Sequence, residues 1–302
     1  MRHTQISMVF MILHSVGVEG VFVHIGIMMF STDQTVPPAP LAHMIAERGF
    51  EAMFLPEHSH IPVARTTPYP RGGELPPEYY RTIDMFVGLA AATTAEPGLT
   101  IGTGVTVVPQ HDPIYLAKQV ASVDRLSGGR LIFGVGYGWN QDEIEHHGVS
   151  YKRRRSTTRE NMLAMRRLWT DEIASFEGEY VNFSPSYQWP KPVQVGGPPI
   201  VIGGLAGPKL FEHIAEFADG WAPVGPRTIM DGLPALQKAF EEAGRDPAAI
   251  RLHAFDTRSD PSLVEHYAKL GVERLIITVA PTDQDGLAKV LDELSPLNDL
   301  VR

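Results

Sequence analysis

Short β-branched runs recur along this chain with helical patterns between them, and that alternation restricts the fold more than any other feature. Eight such runs can be counted, at residues 21–29, 52–55, 99–108, 131–135, 199–202, 220–224, 250–254 and 274–279. Strands that alternate with crossover helices pair in parallel. Eight βα units in 302 residues predict an α/β fold of the TIM (β/α)8 barrel type rather than an open doubly wound sheet.

The intervening segments carry helix start signals. Asp112-Pro113 reads as cap and first turn, Thr157-x-x-Glu160 as a capping box, Gly207-Pro208 as a start, and Thr282-x-x-Asp285 as a second box. Apolar spacings fit one buried face, as in Leu41/Met44/Ile45, Leu210/Phe211/Ile214 and Leu287/Val290/Leu291/Leu294. Two stretches exceed the short loops of such units. Residues 56–81, after the second strand, hold six prolines and Gly72-Gly73; residues 171–198, before the fifth, hold a hairpin pattern around 176–183 and a Pro/Trp-rich tail. The first leaves the face where barrel active sites are built, so it reads as a substrate-covering lid.

Net charge is −9 with no basic face, which argues against nucleic acid as a partner. The absence of cysteine excludes disulfides, zinc–thiolate sites and iron–sulfur clusters, and fits a reducing cytoplasm. The apolar run 8–13 is too short to span a bilayer and lacks signal-peptide flanks, so no membrane association is expected. Residues 1–20 read as a disordered or loosely docked extension before a single domain over 21–302.

Chemistry-bearing residues gather after the strands. Glu57-His58-Ser59-His60 follows the second strand, where side chains face a barrel mouth and act as acid, base or donor toward a ligand. A metal-dependent hydrolase would also use His-x-His there, but the later strands end without further ligands, so no metal is expected. The third and fourth strands lose their side chains at Gly102, Gly104, Gly134, Gly136 and Gly138, and two bare strands beside each other offer a flat surface for a planar cofactor. The spacing Gly134-x-Gly-x-Gly138 is not a dinucleotide fingerprint. Beyond it, Trp139, Asn140 and Glu143 line the same mouth, with Glu143 a candidate acid, while His146 and His147 fall on the rim. Ile202-Gly-Gly-Leu-Ala-Gly-Pro208 is a strand, glycine turn and helix start of the kind that holds phosphate. Lys152–Arg155 is the dense basic run of an acidic chain. It reads as a solvated helix start, with a landing strip for a polyanionic tail as the functional alternative.

Together the glycine-rich strand pair, Leu55-Pro-Glu-His-Ser-His-Ile-Pro62, Val108-Pro-Gln-His-Asp-Pro113, Leu126-Ser-Gly-Gly-Arg130, Gly134-Val-Gly-Tyr-Gly-Trp-Asn140 and Ala218-Asp-Gly-Trp-Ala-Pro223 resemble the luciferase-like monooxygenase family. The match is similar to its branch of oxidoreductases that use the deazaflavin coenzyme F420, with FMN as the alternative cofactor. The resemblance implies a ring in the barrel mouth against Thr103, Gly104, Val105, Gly134, Gly136, Gly138 and Asn140, and a non-prolyl cis peptide at Gly104-Val105. It implies Glu57 and His58 at the cofactor head, Glu57 either orienting His58 or binding that head, and the phosphate-bearing tail near Gly203, Gly204 and Leu205. An oligoglutamate tail would give Lys152–Arg155 a ligand. The implied activity is hydride transfer between deazaflavin and an organic small molecule, with His58 the candidate for a polar contact at the ring and for proton handling, Glu57 its orienting or head-binding partner, and Glu143 a further acid candidate. A homodimer is common for this architecture. Trp139 stands where the sugar-phosphate dehydrogenase of the branch has its glutamate proton donor, and Pro62 where it has a tryptophan, so that particular reaction does not transfer.

Overall fold

Hydrogen bonding closes the parallel strands on themselves in the computed structural model, which describes residues 23–257 and 260–300. The strands are β1 (His24–Met28), β2 (Ala52–Leu55), β3 (Thr100–Thr103), β4 (Thr106–Val107), β5 (Leu131–Gly136), β6 (Ala174–Glu177), β7 (Asn182–Ser186), β8 (Ile200–Gly203), β9 (Gly220–Ala222), β10 (Arg251–Asp256) and β11 (Arg274–Thr278). Strands β6 and β7 form a separate antiparallel hairpin. The rest make eight staves, because β3 and β4 are two halves of one. The circuit runs β1-β2-β3-β5-β8-β9-β10-β11 and returns to β1, a TIM barrel.

Around it lie α1 (Pro38–Glu47), α2 (Glu78–Arg81), α3 (Met85–Ala95), α4 (Pro113–Leu126), α5 (Gln141–His146), α6 (Arg154–Thr170), α7 (Pro208–Phe217), α8 (Pro226–Glu242), α9 (Pro261–Lys269) and α10 (Gln284–Leu294). Among the described residues no helix is long and apolar enough to cross a membrane. Strand side chains divide by their period of two. Phe54, Ile132, Val201, Ala222 and Ile276 fill the barrel interior, with Met28 and Phe255 above them, while Ile25, Ile27, Met53, Ile101, Leu131 and Phe133 join the larger core beneath the helices.

The predicted strand positions recur in the structure, except that the start of the first lies outside the described residues and the third breaks after Thr103. At the break Gly102 pairs Ile132 and Thr106 pairs Val135, so three intervening residues on one side face two on the other. The extra residue makes a bulge beside the mouth. The Gly104-Val105 peptide within it is cis, as the resemblance implied.

Two helix starts differ from their predicted caps. Asp112 does cap α4, accepting from the Ile114 and Tyr115 amides, and Pro208 does open α7. Helix α6, however, begins at Arg154, three residues ahead of Thr157, and Glu160 accepts instead from the amides of Glu179, Tyr180 and Val181 at 3.0, 2.7 and 2.7 Å. A buried carboxylate offered three free amides binds them in preference to its own helix end. The α10 cap is Asp283, bonded to Gly286, rather than Thr282.

Each long insertion is tied down by a carboxylate. Glu160 holds the turn of the β6–β7 hairpin, and Asp124 holds the Pro/Trp-rich tail through Val193 N at 2.7 Å and Gln194 N at 3.1 Å. Asp142 holds the insertion after β2.

Candidate active site

The mouth of the barrel is ringed by the C-terminal ends of the strands, and His58 stands there just beyond β2. Its Nδ1 lies 2.8 Å from Glu143 Oε2, while Glu143 Oε1 accepts from Ser59 N at 3.1 Å and Oε2 also from Asn140 Nδ2 at 3.3 Å. Glu143 is 1% exposed. Burial pushes its pKa up, but the hydrogen bonds from His58, Gln110 and Ser59 and the charge of His58 outweigh it and hold the group below its ordinary value. It is therefore a carboxylate near neutral pH. A group held ionised in this way orients its histidine instead of donating a proton, so the expectation of an acid at Glu143 is replaced. With Glu143 ionised, the proton of the shared bond resides on His58 Nδ1, and Nε2 is left without a partner among the described residues.

Glu57 does something else. Its Oε2 accepts from Val107 N at 2.7 Å and its Oε1 faces His111 Nε2 at 2.9 Å, so both oxygens are engaged on β4 and the turn after it. The expectation that Glu57 orients His58 is corrected, since Glu143 has that place. His111 is raised in pKa because the hydrogen bond and charge of Glu57 exceed the opposing effect of its burial.

The glycines of the third and fourth staves are not bare. A Cβ on Gly102 would fall on the Phe54 ring, and one on Gly134 would fall on the Thr103 carbonyl oxygen. A Cβ on Gly136 would stand 2.7 Å from Val105 Cγ2, whereas one on Gly203 would meet Val105 only at an ordinary contact distance. These absences make room for the bulged Val105 and for close strand approach, and they do not leave an open wall for a ring. Gly104 faces the barrel interior, where a Cβ would meet Met28 Sδ at 2.7 Å. Gly138 adopts φ +75°, turning the chain from β5 into α5 and so delivering Asn140 and Glu143 to the mouth. Gly204 and Leu205 follow β8, Leu205 is exposed, and the Gly204 carbonyl accepts from Trp221 Nε1 at 3.0 Å.

An aromatic cluster completes the site. The His58 ring centroid lies 5.0 Å from Tyr79 and 5.9 Å from Trp139, and Tyr69 lies 5.4 Å from Tyr79 and 6.1 Å from Trp139. Tyr69 and Tyr79 belong to the insertion after β2, the segment that the sequence marks as a lid but whose aromatic residues carry no local motif. The run of tyrosines at 69, 79 and 80 was the signal that would have found them.

His58 and His60 turn into separate networks. His60 Nε2 meets His146 Nδ1 at 2.9 Å, and Ser59 Oγ bridges His60 Nδ1 and His147 Nε2 at 2.9 and 2.8 Å, on the exposed rim. Among the described residues no group of three or more acidic or histidine side chains has the arrangement of a metal site.

The basic run is not a uniformly solvated face. Arg153 pairs with Glu179 at 3.0 Å, but Arg154 donates to the Gly138 carbonyl at 3.3 Å and stacks 3.7 Å over Tyr151, and Arg155 lies 5.1 Å over Tyr137. Arg154 thus ties the start of α6 to the turn that carries the site.

The model of the luciferase-like monooxygenase family matches residues 39–257. The chain belongs to this family. It is 39% identical over 277 residues to an uncharacterized protein of Mycobacterium tuberculosis, covering 90% of this chain and 97% of that one. It is 29% identical over 228 residues to the F420-dependent glucose-6-phosphate dehydrogenase of Nakamurella multipartita, covering 72% of this chain and 60% of that enzyme. Among solved structures, a monooxygenase from Streptomyces bottropensis superposes with a TM-score of 0.74 at 20% identity, covering 91% of this chain and 98% of that one.

A flavin-type ring system, planar and edged with carbonyl and N–H groups, fits what this family member leaves unsatisfied at its mouth. Asn140 Oδ1 and Gln110 Oε1 are buried in the loops beyond the strand ends, beside Glu143, and have no hydrogen-bond partner among the described residues.

Proposed function

We propose that this protein is an oxidoreductase that moves a hydride between the deazaflavin coenzyme F420 and an organic small molecule. The observation that carries the reading is the His58 imidazole, fixed at Nδ1 by the buried Glu143 carboxylate, flanked by Tyr79 and Trp139, with Nε2 open. Support also comes from the resemblance of Glu57-His58 to the pair at the cofactor head and from the F420-dependent relative.

When bound, the deazaflavin supplies a carbon that accepts or gives a hydride. The residues then have distinct tasks. His58 Nε2 takes up or releases the proton that accompanies the hydride at the substrate oxygen or nitrogen, and Glu143 keeps the ring in the tautomer that allows it. Glu57 holds β4 against the mouth through the Val107 amide and does not itself touch the reacting atoms. Gln110 and Asn140 would bind the polar edges of the ring system, and Val105, Met28 and Phe255 would bound it from the barrel side. Tyr69, Tyr79 and Trp139 exclude water above it.

Titration of the purified protein with oxidised F420 and with FMN, followed by fluorescence quenching, tests the reading. Tighter binding of F420 is the expected outcome. Tighter binding of FMN, followed by oxygen consumption in the presence of reduced FMN, would transfer the protein to the monooxygenase reading.

A further inference from the structure

The insertion after β2 is fastened at both ends across the mouth, and the fastening at one end converges on a single side chain. Asp142, in the first turn of α5, accepts from four groups of two consecutive lid residues: Thr66 N at 3.2 Å, Thr66 Oγ1 at 3.1 Å, Thr67 N at 2.9 Å and Thr67 Oγ1 at 2.6 Å. The Gln141 amide adds a bond to Thr67 Oγ1 at 3.1 Å. At the other end the chain returns to the tip of β1, where Ile83 N donates to Ser31 O at 2.9 Å, Thr32 bridges Thr82 and Arg81 pairs with Asp33. Between these anchors lie Tyr69 and Tyr79, the two lid side chains packed around Trp139 and His58.

We infer that Asp142 is a positioning residue for substrate entry: it latches the strap of residues 66–81 across the barrel mouth and so holds Tyr69 and Tyr79 in the wall of the site. Three features support this. The donors come as two backbone amides and two hydroxyls of adjacent residues, which one carboxylate matches only when the strap is down. The same bonds hold the Asp142 carboxyl well below the usual carboxylate range, with the Thr67 hydroxyl the largest contributor. The latch also stands beside the catalytic candidates in the chain, since Asp142 precedes Glu143, and the two carboxylates divide the work. One grips the lid and the other grips His58.

A latch whose acceptor is one exposed-edge carboxylate opens without unfolding the barrel, because no residue of the strap is fully buried. Opening frees the path to the mouth, and closing excludes water. The fastening is independent of the cofactor; its effect on turnover rests on the proposed hydride transfer.

Limited trypsinolysis of the whole chain without cofactor tests the latch. Arg65 is held over the Trp139 ring at 5.7 Å and bonded to the Thr67 carbonyl, so cleavage after it reports strap opening, while the exposed Arg227 in the first turn of α8, outside the strap, serves as internal reference. Asp142→Ala is expected to speed cleavage after Arg65 by about tenfold relative to Arg227, with far-ultraviolet circular dichroism unchanged. Thr66→Val with Thr67→Val, which leaves the acidic side chain in place, is expected to give a smaller increase and covers the case in which the first variant does not fold. In cofactor-loaded enzyme Asp142→Ala should raise KM for an accepted substrate several-fold while kcat is held. Unchanged cleavage after Arg65 in both variants would overturn the latch, and a fall in kcat at constant KM would overturn its role in entry. Absence of turnover in the parent enzyme would instead count against the hydride-transfer reading and leave the proteolysis result standing.

Discussion

His58 Nδ1 and Glu143 Oε2 stand 2.8 Å apart although 85 residues separate them in the chain. One follows β2 and the other lies in α5, and the two meet because the turn at Gly138 folds α5 back over the mouth. Their contact converts a solvent-type imidazole into one with a defined tautomer and direction, which is what proton handling at a reacting atom requires.

Removing the imidazole should therefore cost far more than removing its anchor. His58→Ala is expected to lower kcat by about 100-fold or more, and Glu143→Gln by roughly tenfold, since a misdirected base loses alignment and retains its chemistry. Steady-state kinetics with the preferred cofactor measures both. Equal losses would make Glu143 a participant in the reaction itself. Because the folded pKa of Glu143 is depressed, its ionised form contributes stability that is present above the ordinary value of 4.5 and is lost as pH falls through the lower folded value. The stability gap between parent and Glu143→Gln should accordingly be constant near neutrality and close in acid.

His253 sets a pH dependence far from the site. It is fully buried in β10, and burial pushes its pKa down to about 4 from an ordinary 6.5, despite Glu273 Oε2 at 3.3 Å. The folded state keeps this ring neutral while the unfolded chain protonates it, so unfolding takes up a proton between those two values. Stability should fall as pH drops from about 6.5 toward 4, with a steepest slope of about 1.4 kcal/mol per pH unit from this one group. Urea unfolding of the parent and of His253→Leu across that range checks it, the variant giving the shallower slope. Parallel curves would show that the ring is charged in the fold.

Gly134→Ala should damage the fold before it damages cofactor binding. The added methyl would fall on the Thr103 carbonyl oxygen, a backbone atom of the adjoining stave, and stand 3.1 Å from the β-branched side chain of Val105 in the bulge. Overpacking against rigid neighbours costs about 1–3 kcal/mol or more. Thermal unfolding should show the loss in protein without cofactor, and a normal melting temperature with weakened cofactor binding would return Gly134 to the cofactor wall.

The eight-stave barrel was legible in the amino-acid order because each strand and each helix announces itself locally. Leu41, Met44 and Ile45 mark one helix face, and Asp112-Pro113 marks a start, through forces that act within a few residues. Family membership was legible for a related reason, as the matching motifs are contiguous runs. Tertiary structure decided how the polar groups are shared. Glu160, written as a cap, became the clasp of a hairpin because three amides 19–21 residues away offered a better set of donors than its own helix end. Glu57 was written beside His58 but turned to Val107 and His111, leaving Glu143 to hold the imidazole. The glycines at 134 and 136 looked like an empty wall until the bulged Val105 filled the space above them. Short-range propensity determines which elements form, whereas the partner of a carboxylate and the occupant of a glycine's vacant side depend on which distant segment arrives there, and only the closed barrel brings those segments together.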